Sequence, residues 1–104
     1  MEFLVRINVH LPPDMPAPER SAILAADREV ADRLKAAGVV YRIWRVPGRF
    51  ASIGIWRAAD ASELHRHLLS FPLFPWIDCD VTALAAHPLE DTPEGADVID
   101  QKSR

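Results

Sequence analysis

Alternating apolar and polar positions mark the start of the chain. Every second residue from Phe3 to Leu11 is apolar, and the positions between them include Arg6 and Asn8. This period of two predicts a β-strand that turns one face toward the core. The prolines at positions 12, 13 and 16 end the strand, because proline has no N–H for the hydrogen-bond ladder.

A helical period follows the prolines. Ile23, Val30 and Leu34 form one apolar stripe of a helix predicted from about residue 18 to residue 37, which ends at Gly38, a natural C-terminal cap. Asp27 lies inside this stripe. A carboxylate there is costly unless it is paired, hydrogen-bonded or neutralised, and burial raises its pKa, as a proton shuttle requires. Alternatively, Asp27 lies at the edge of the stripe and reaches water or an arginine.

The second half of the chain predicts three more strands and one more helix. Strands are expected over residues 39–46, 49–56 and 77–84, and a capping-box-like start at residues 60–63 opens a helix that ends before Pro72. The order βαββαβ predicts an α+β, ferredoxin-like fold: a four-stranded antiparallel sheet with both helices on one face. We expect one domain over residues 1–88 and a polar C-terminal tail over residues 89–104, which is either mobile or an arm that docks on a neighbour.

The sheet face without helices is expected to be apolar. Depending on strand register, it presents Leu4 with Trp44 or Ile43 and with Trp56 or Ile55. An uncovered apolar face in a small protein predicts self-association.

Composition limits the environment and the partners. No apolar run approaches the roughly 20 residues needed to span a bilayer, and the N-terminus does not resemble a signal peptide. The single cysteine, Cys79, excludes an internal disulfide and suits a reducing cytoplasm. These features predict a cytoplasmic protein without a membrane partner.

Basic residues are concentrated in the middle of a chain whose formal net charge is -3. The span 33–57 contains five arginines and one lysine and no acidic residue. A local excess of arginine in a chain that is not basic overall favours a small anionic ligand over a nucleic acid. Alternatively, several of these arginines form surface or intersubunit salt bridges.

Several kinds of chemistry are not indicated by the sequence. His65 and His67 are two residues apart on a predicted helix and point to different faces, which argues against a shared metal ion. We find no glycine-rich phosphate loop, no recognisable nucleophile motif and no sign of a cofactor. A partly buried acid beside a sheet supplied with arginines is consistent with cofactor-free proton transfer on an anionic substrate, or with a structural ion pair.

Five short segments resemble the muconolactone Δ-isomerase family. They are Leu-Pro-Pro-Asp-Met at 11–15, Arg-Leu-Lys-Ala-Ala-Gly at 33–38, Ile-Trp-Arg-Val-Pro-Gly at 43–48, Pro-Leu-Phe-Pro-Trp at 72–76 and His-Pro at 87–88. The resemblance implies a ferredoxin-like protomer in a homo-oligomer, a decamer. It also implies a cofactor-free isomerase that converts muconolactone to 3-oxoadipate enol-lactone in the β-ketoadipate pathway of aromatic degradation.

Two site residues follow from the same resemblance, and the others follow from the cation that a carboxylate substrate requires. The family's proton-shuttling glutamate corresponds to Asp27, and a strand-three asparagine corresponds to Ser52. The candidates for binding the carboxylate of a small anionic lactone are Arg42, Arg45 and Arg49, with His10 as a further contact. The alternatives are a related enzyme acting on a substituted or halogenated lactone, and a non-catalytic oligomeric protein that binds small ligands.

Overall fold

The computed structural model describes residues 1–90 and has the element order βαββαβ. The elements are β1 (Glu2–Val9), α1 (Ala17–Ala36), β2 (Val40–Arg45), β3 (Ala51–Arg57), α2 (Ala61–Leu69) and β4 (Ile77–Leu84), with short 3-10 turns at Phe74–Trp76 and Pro88–Glu90. The strands form one antiparallel sheet in the order β2-β3-β1-β4. The predicted ferredoxin-like fold is therefore confirmed. Residues 91–104, most of the predicted tail, lie outside the described residues.

The ends of the elements differ from the prediction by one or two residues. β1 stops at Val9 rather than Leu11, and β3 begins at Ala51 rather than 49. The N–H of His10 already bonds outside the ladder, to the carbonyl of Trp76 at 2.7 Å, and the prolines beyond it cannot donate. Neither helix among residues 1–90 combines the length and hydropathy of a bilayer-crossing segment.

Gly38 ends α1 as the sequence predicts. Its φ is +79°, a left-handed conformation that glycine adopts without steric cost. The N–H groups of Gly38 and Val39 donate to the carbonyls of Lys35 (3.1 Å) and Leu34 (3.0 Å), which is the Schellman pattern. This tight reversal returns the chain as β2, so β2 runs back along α1.

The core lies between the two helices and one face of the sheet. Phe3 and Trp56 pair across β1 and β3, and each is only 1% exposed. Burying an aromatic or branched side chain of this kind contributes about 1.5–3 kcal/mol. The helices complete the cluster with Val30, Leu34, Leu64 and Leu68. Both helices therefore cover the same side of the sheet.

The opposite face of the sheet is not covered by the helices, and it carries apolar residues together with charged ones such as Arg6, Arg57 and Asp80. The register pairs Leu4 with Ile55 and Ile53 with Trp44, which selects Trp44 and Ile55 from the alternatives and puts Trp56 in the core. Trp44 is 47% exposed.

A bulge in β2 brings two backbones unusually close. The pairing with β3 shifts between Val40 and Arg42, so Tyr41 is the additional residue. A Cβ at Gly54 would lie 2.6 Å from the carbonyl oxygen of Arg42. Glycine at position 54 therefore allows β2 and β3 to pair at this point.

Candidate active site

A cavity of about 690 Å³ lies between α1 and the helix-facing side of the sheet. Its volume falls in the range usual for small-molecule sites. Most of its wall is apolar and includes Ile7, Val9, Leu24, Ile43, Phe50, Trp56, Phe71, Leu73 and Ile77. The charged and hydroxyl side chains that line it are Asp27, Arg28, Asp32, Lys35, Arg45 and Ser52.

Asp27 is a half-buried carboxylate in the cavity wall. It lies one turn before the buried Val30 and two turns before the buried Leu34 on α1. The backbone N–H of Leu73 donates to its Oδ1 at 3.3 Å. Burial raises the pKa of the Asp27 carboxyl above its ordinary value, and the Leu73 hydrogen bond opposes this rise. These are the surroundings of a carboxylate that can act as a proton acceptor.

The charged neighbours of Asp27 on α1 are already engaged. The Nε of Arg28 forms an ion pair with Oδ1 of Asp32 at 2.9 Å, and the two residues are one helical turn apart. The Nζ of Lys35 donates to the carbonyl of Tyr41 at 2.7 Å. Among residues 1–90, no cation forms an ion pair with Asp27. The pKa of Asp27 is therefore not lowered by a salt bridge.

Arg45 and Ser52 form the floor of the cavity on the sheet side. They pair directly across β2 and β3, and Ser52 pairs with Ile7 on β1, so the three side chains share the helix-facing side. The guanidinium of Arg45 lies 5.9 Å from the centre of the Phe50 ring. No carboxylate within the described part of the chain pairs with Arg45, so its charge is available to an anion.

Asp27 and Arg45 face the same cavity from two elements. Asp27 lies on α1 and Arg45 on β2, and both residues line the cavity wall. The Nζ of Lys35, two turns after Asp27, donates to the carbonyl of Tyr41 on β2, so the end of α1 contacts this strand. One small ligand can therefore meet an acid and a cation in the same cavity.

The other three residues that the sequence predicts as substrate contacts do not line the cavity of the single chain. Arg42 pairs with Ile55 on the opposite face, where its guanidinium lies 5.2 Å from the Trp44 ring centre. Arg49 lies in the exposed turn before β3. His10 is exposed, and its Nε2 contacts Asp78 at 2.8 Å.

Several lining residues were not among the predicted site residues. Lys35 follows Asp27 by eight residues, a spacing that puts both on one helical face, so the sequence contains a signal for it. The role of Leu73 depends on its backbone N–H and on tertiary packing, for which the sequence contains no signal. Trp56 follows Ser52 by four residues on one face of β3, but its size and hydrophobicity favour a core assignment.

Comparison with known proteins agrees with this fold. The family model described as muconolactone delta-isomerase matches residues 1–90. A muconolactone delta-isomerase of Cupriavidus pinatubonensis is 40% identical over 88 residues, covering 85% of this chain and 96% of the relative. One from Acinetobacter baylyi is 35% identical, covering 85% of this chain and 92% of the relative. A crystal structure of muconolactone isomerase superposes with a TM-score of 0.82 at 33% identity, covering 88% of this chain and 96% of that one.

Fold and cavity together define a class: ferredoxin-like proteins with a half-buried acid in a mostly apolar small-molecule site. Within that class, the length of the matched segments and their sequence identity determine the family. The chain belongs to the muconolactone delta-isomerase family.

Proposed function

We propose that the protein is a cofactor-independent isomerase that converts muconolactone to 3-oxoadipate enol-lactone in the β-ketoadipate pathway of aromatic degradation. The observation that carries the proposal is the half-buried Asp27 carboxylate, whose pKa is raised by burial in an apolar cavity. Membership of the family supports the same reaction. The single cysteine supports action in a reducing cytoplasm.

The reaction requires one proton to move within the ring. The γ C–H of the lactone is acidic because its electrons can delocalise into the conjugated carbonyl. The Asp27 carboxylate takes this proton, so the C–H bond breaks, an O–H bond forms and a dienolate results. The protonated Asp27 then returns the proton to the α carbon, which restores the carboxylate. One acid serves both steps if the transfer stays on one face of the ring.

Arg45 and Ser52 are the proposed substrate-binding residues. The guanidinium of Arg45 binds the substrate carboxylate, and its place in the same cavity as Asp27 suits a lactone whose carboxymethyl arm is attached at the reacting carbon. The hydroxyl of Ser52, on the same row, donates a further hydrogen bond to the ligand. Asp27 performs the role of the family's glutamate with a side chain shorter by one methylene, so the substrate lies closer to α1.

The test is an assay of the purified protein with muconolactone in deuterated water. We expect conversion to the enol-lactone, followed by its ultraviolet absorbance, and NMR shows deuterium at the α carbon only to the extent that the proton on Asp27 exchanges with solvent before it is returned. A buffer sample without protein gives the background exchange. Muconolactone that is neither converted nor deuterated above this background would rule out the proposed function.

Replacing Arg45 by glutamine is expected to raise KM by about tenfold or more, with a smaller effect on kcat. The charge binds the carboxylate equally in the ground state and the transition state, so its loss weakens uniform binding. Arg49→Gln is the matched control, because Arg49 lies outside the cavity. Equal KM values for both variants and the wild type would contradict the role of Arg45.

We further propose that the chain forms a homo-oligomer, and the resemblance implies a decamer. The support is the uncovered face with Leu4, Ile53, Ile55 and Trp44, together with exposed apolar residues such as Val81 and Leu89 beyond the core. Light scattering at micromolar concentration is expected to give a mass several times that of the 11.6 kDa chain. A stable monomer would refute this assembly.

A further inference from the structure

The backbone N–H of Leu73 donates to a side chain rather than to its own turn. Its acceptor is Oδ1 of Asp27, at 3.3 Å and 46 positions away in the sequence, and within residues 1–90 it donates to no backbone carbonyl. Leu73 is 5% exposed, and the N–H of a buried residue requires an acceptor in the protein because water does not reach it. The Asp27 carboxylate supplies this acceptor.

Leu73 belongs to a turn, residues 71–76, that connects α2 to β4 and is fixed by its own hydrogen bonds. The N–H of Phe74 donates to the carbonyl of Phe71 at 2.9 Å, and the N–H of Trp76 donates to the carbonyl of Leu73 at 2.8 Å. The Leu73 side chain is buried in the core. Because both the turn and the side chain are anchored, the Leu73 N–H keeps one direction before a ligand binds.

The two carboxylate oxygens of Asp27 have different surroundings. Oδ1 accepts the Leu73 N–H. Oδ2 accepts no hydrogen bond from the described part of the chain, and it is not fully enclosed by protein atoms. The other charged side chains in the cavity wall are Arg28, Asp32, Lys35 and Arg45. Within residues 1–90, none of them forms an ion pair with Asp27. Oδ2 is therefore the oxygen that a ligand can reach.

We propose that the backbone N–H of Leu73 positions the general base, holding Oδ1 of Asp27 so that Oδ2 takes the γ proton of the lactone and returns it to the α carbon. This inference rests on the proposed function. The Leu73 N–H keeps its proton throughout, and it touches the base rather than the lactone. Its contribution is to fix the orientation of the carboxylate before the substrate binds, which removes a rotation that would otherwise have to be restricted during the reaction.

The same hydrogen bond affects the pKa of Asp27. Burial raises this pKa, and the Leu73 N–H lowers it because it stabilises the charged carboxylate. Without the N–H, the pKa should rise further. If Leu73 only packed the turn against the core, the loss of its N–H would leave the pKa unchanged. The pKa of Asp27 therefore separates a positioning role from a merely structural one.

The kinetic test replaces Leu73 by the α-hydroxy analogue of leucine in the full-length chain. An ester then replaces the amide, so the N–H is lost while the buried side chain is kept. The acid limb of the kcat/KM profile should move up by about one pH unit. On the plateau above it, kcat should fall by about tenfold, because the carboxylate is free to rotate. A stronger base alone would raise kcat. An unchanged acid limb or an unchanged plateau kcat would overturn the inference.

The matched control places the α-hydroxy analogue of phenylalanine at position 74. This ester removes the N–H that donates to the Phe71 carbonyl, in the same turn, but keeps the contact between Leu73 and Asp27. The acid limb should stay at its wild-type position. An equal shift in both variants would show that the stability of the turn, and not the Leu73 N–H, sets the pKa, and it would overturn the inference.

A second measurement uses the natural backbone, so it does not depend on how the ester variant folds. In ¹⁵N-labelled wild-type protein, the Leu73 amide proton should resonate downfield while Asp27 is charged and move upfield as pH falls through the pKa of Asp27. Asp27→Asn should abolish this titration. A Leu73 signal that does not move with pH overturns the inference. If the wild type does not isomerise muconolactone, the proposed function fails, and the titration alone decides whether Leu73 holds the carboxylate.

Discussion

The variant Asp27→Asn is expected to lower the rate of isomerisation by about 10²–10⁴-fold, the usual contribution of a positioned general base. The asparagine amide oxygen can still accept the N–H of Leu73, the contact seen at 3.3 Å, so the local fold is retained. Only the ability to take and return a proton is lost. Turnover of muconolactone, measured at saturating substrate, checks this expectation.

Glu29→Gln is the matched control for this variant. Glu29 lies on the same helix but is exposed and outside the cavity, so its activity should equal that of the wild type. An Asp27→Asn variant that keeps more than about a tenth of the wild-type rate would show that another group carries the proton.

The raised pKa of Asp27 also predicts how activity and stability depend on pH. Activity requires the carboxylate, so it is lost as pH falls through the pKa of Asp27, which burial raises above its ordinary value. For stability the direction is opposite. The folded state binds the proton more tightly than the unfolded chain, so this group lowers stability as pH rises from its ordinary pKa through the raised one. At neutral pH, Asp27→Asn should therefore be at least as stable as the wild type in urea unfolding, and the difference should shrink on acidification.

The variant Gly54→Ala is expected to lower the free energy of unfolding by about 3 kcal/mol, the upper end of the usual cost of overpacking. The added Cβ would meet the Arg42 carbonyl oxygen at 2.6 Å. This obstacle is backbone and cannot swing away as a flexible side chain would. The β2–β3 pairing must open, and with it the sheet-side floor of the cavity. Urea unfolding at a fixed protein concentration measures the loss.

Gly48→Ala gives an informative comparison. Gly48 has a φ of +76° but open space around its Cβ position, so alanine there costs only about 1 kcal/mol of backbone strain. The residue with the ordinary backbone should therefore be the more sensitive of the two. A Gly54→Ala variant that is as stable as Gly48→Ala would contradict the close approach of the strands.

Local patterns account for what the sequence predicts about the fold. The period-two stretch of β1, the stripe of α1, Gly38 and the start of α2 each have a signal within a few neighbouring residues. The N–H of Glu63, for example, donates to Oδ1 of Asp60 at 2.8 Å, as the capping pattern indicates. The core-facing direction of the Asp27 side chain is predicted in the same way, because helical spacing alone determines it.

The sheet side of the site depends on information that the sequence lacks. Ile55 and Trp56 are adjacent and both apolar, so hydrophobicity does not decide which of them enters the core. Strand spacing separates Arg42 from Arg45, three residues apart, onto opposite faces, but does not say which face is which. That choice depends on the bulge at Tyr41, and the hydrogen bond from Leu73 depends on packing between distant segments.

The bulge at Tyr41 has a consequence for how β2 tolerates insertions and deletions. In a strand, adding or removing one residue moves every later side chain to the opposite face of the sheet. Tyr41 is the additional residue, so removing it would straighten β2 and leave Ile43 and Arg45 facing α1 as before. Regular pairing of the full-length strand from Val40 would instead turn Trp44 to the helix-facing side of the sheet and turn Arg45 away from it. The Lys35 ammonium donates a hydrogen bond to the Tyr41 carbonyl and thus stabilises the bulged register of this strand.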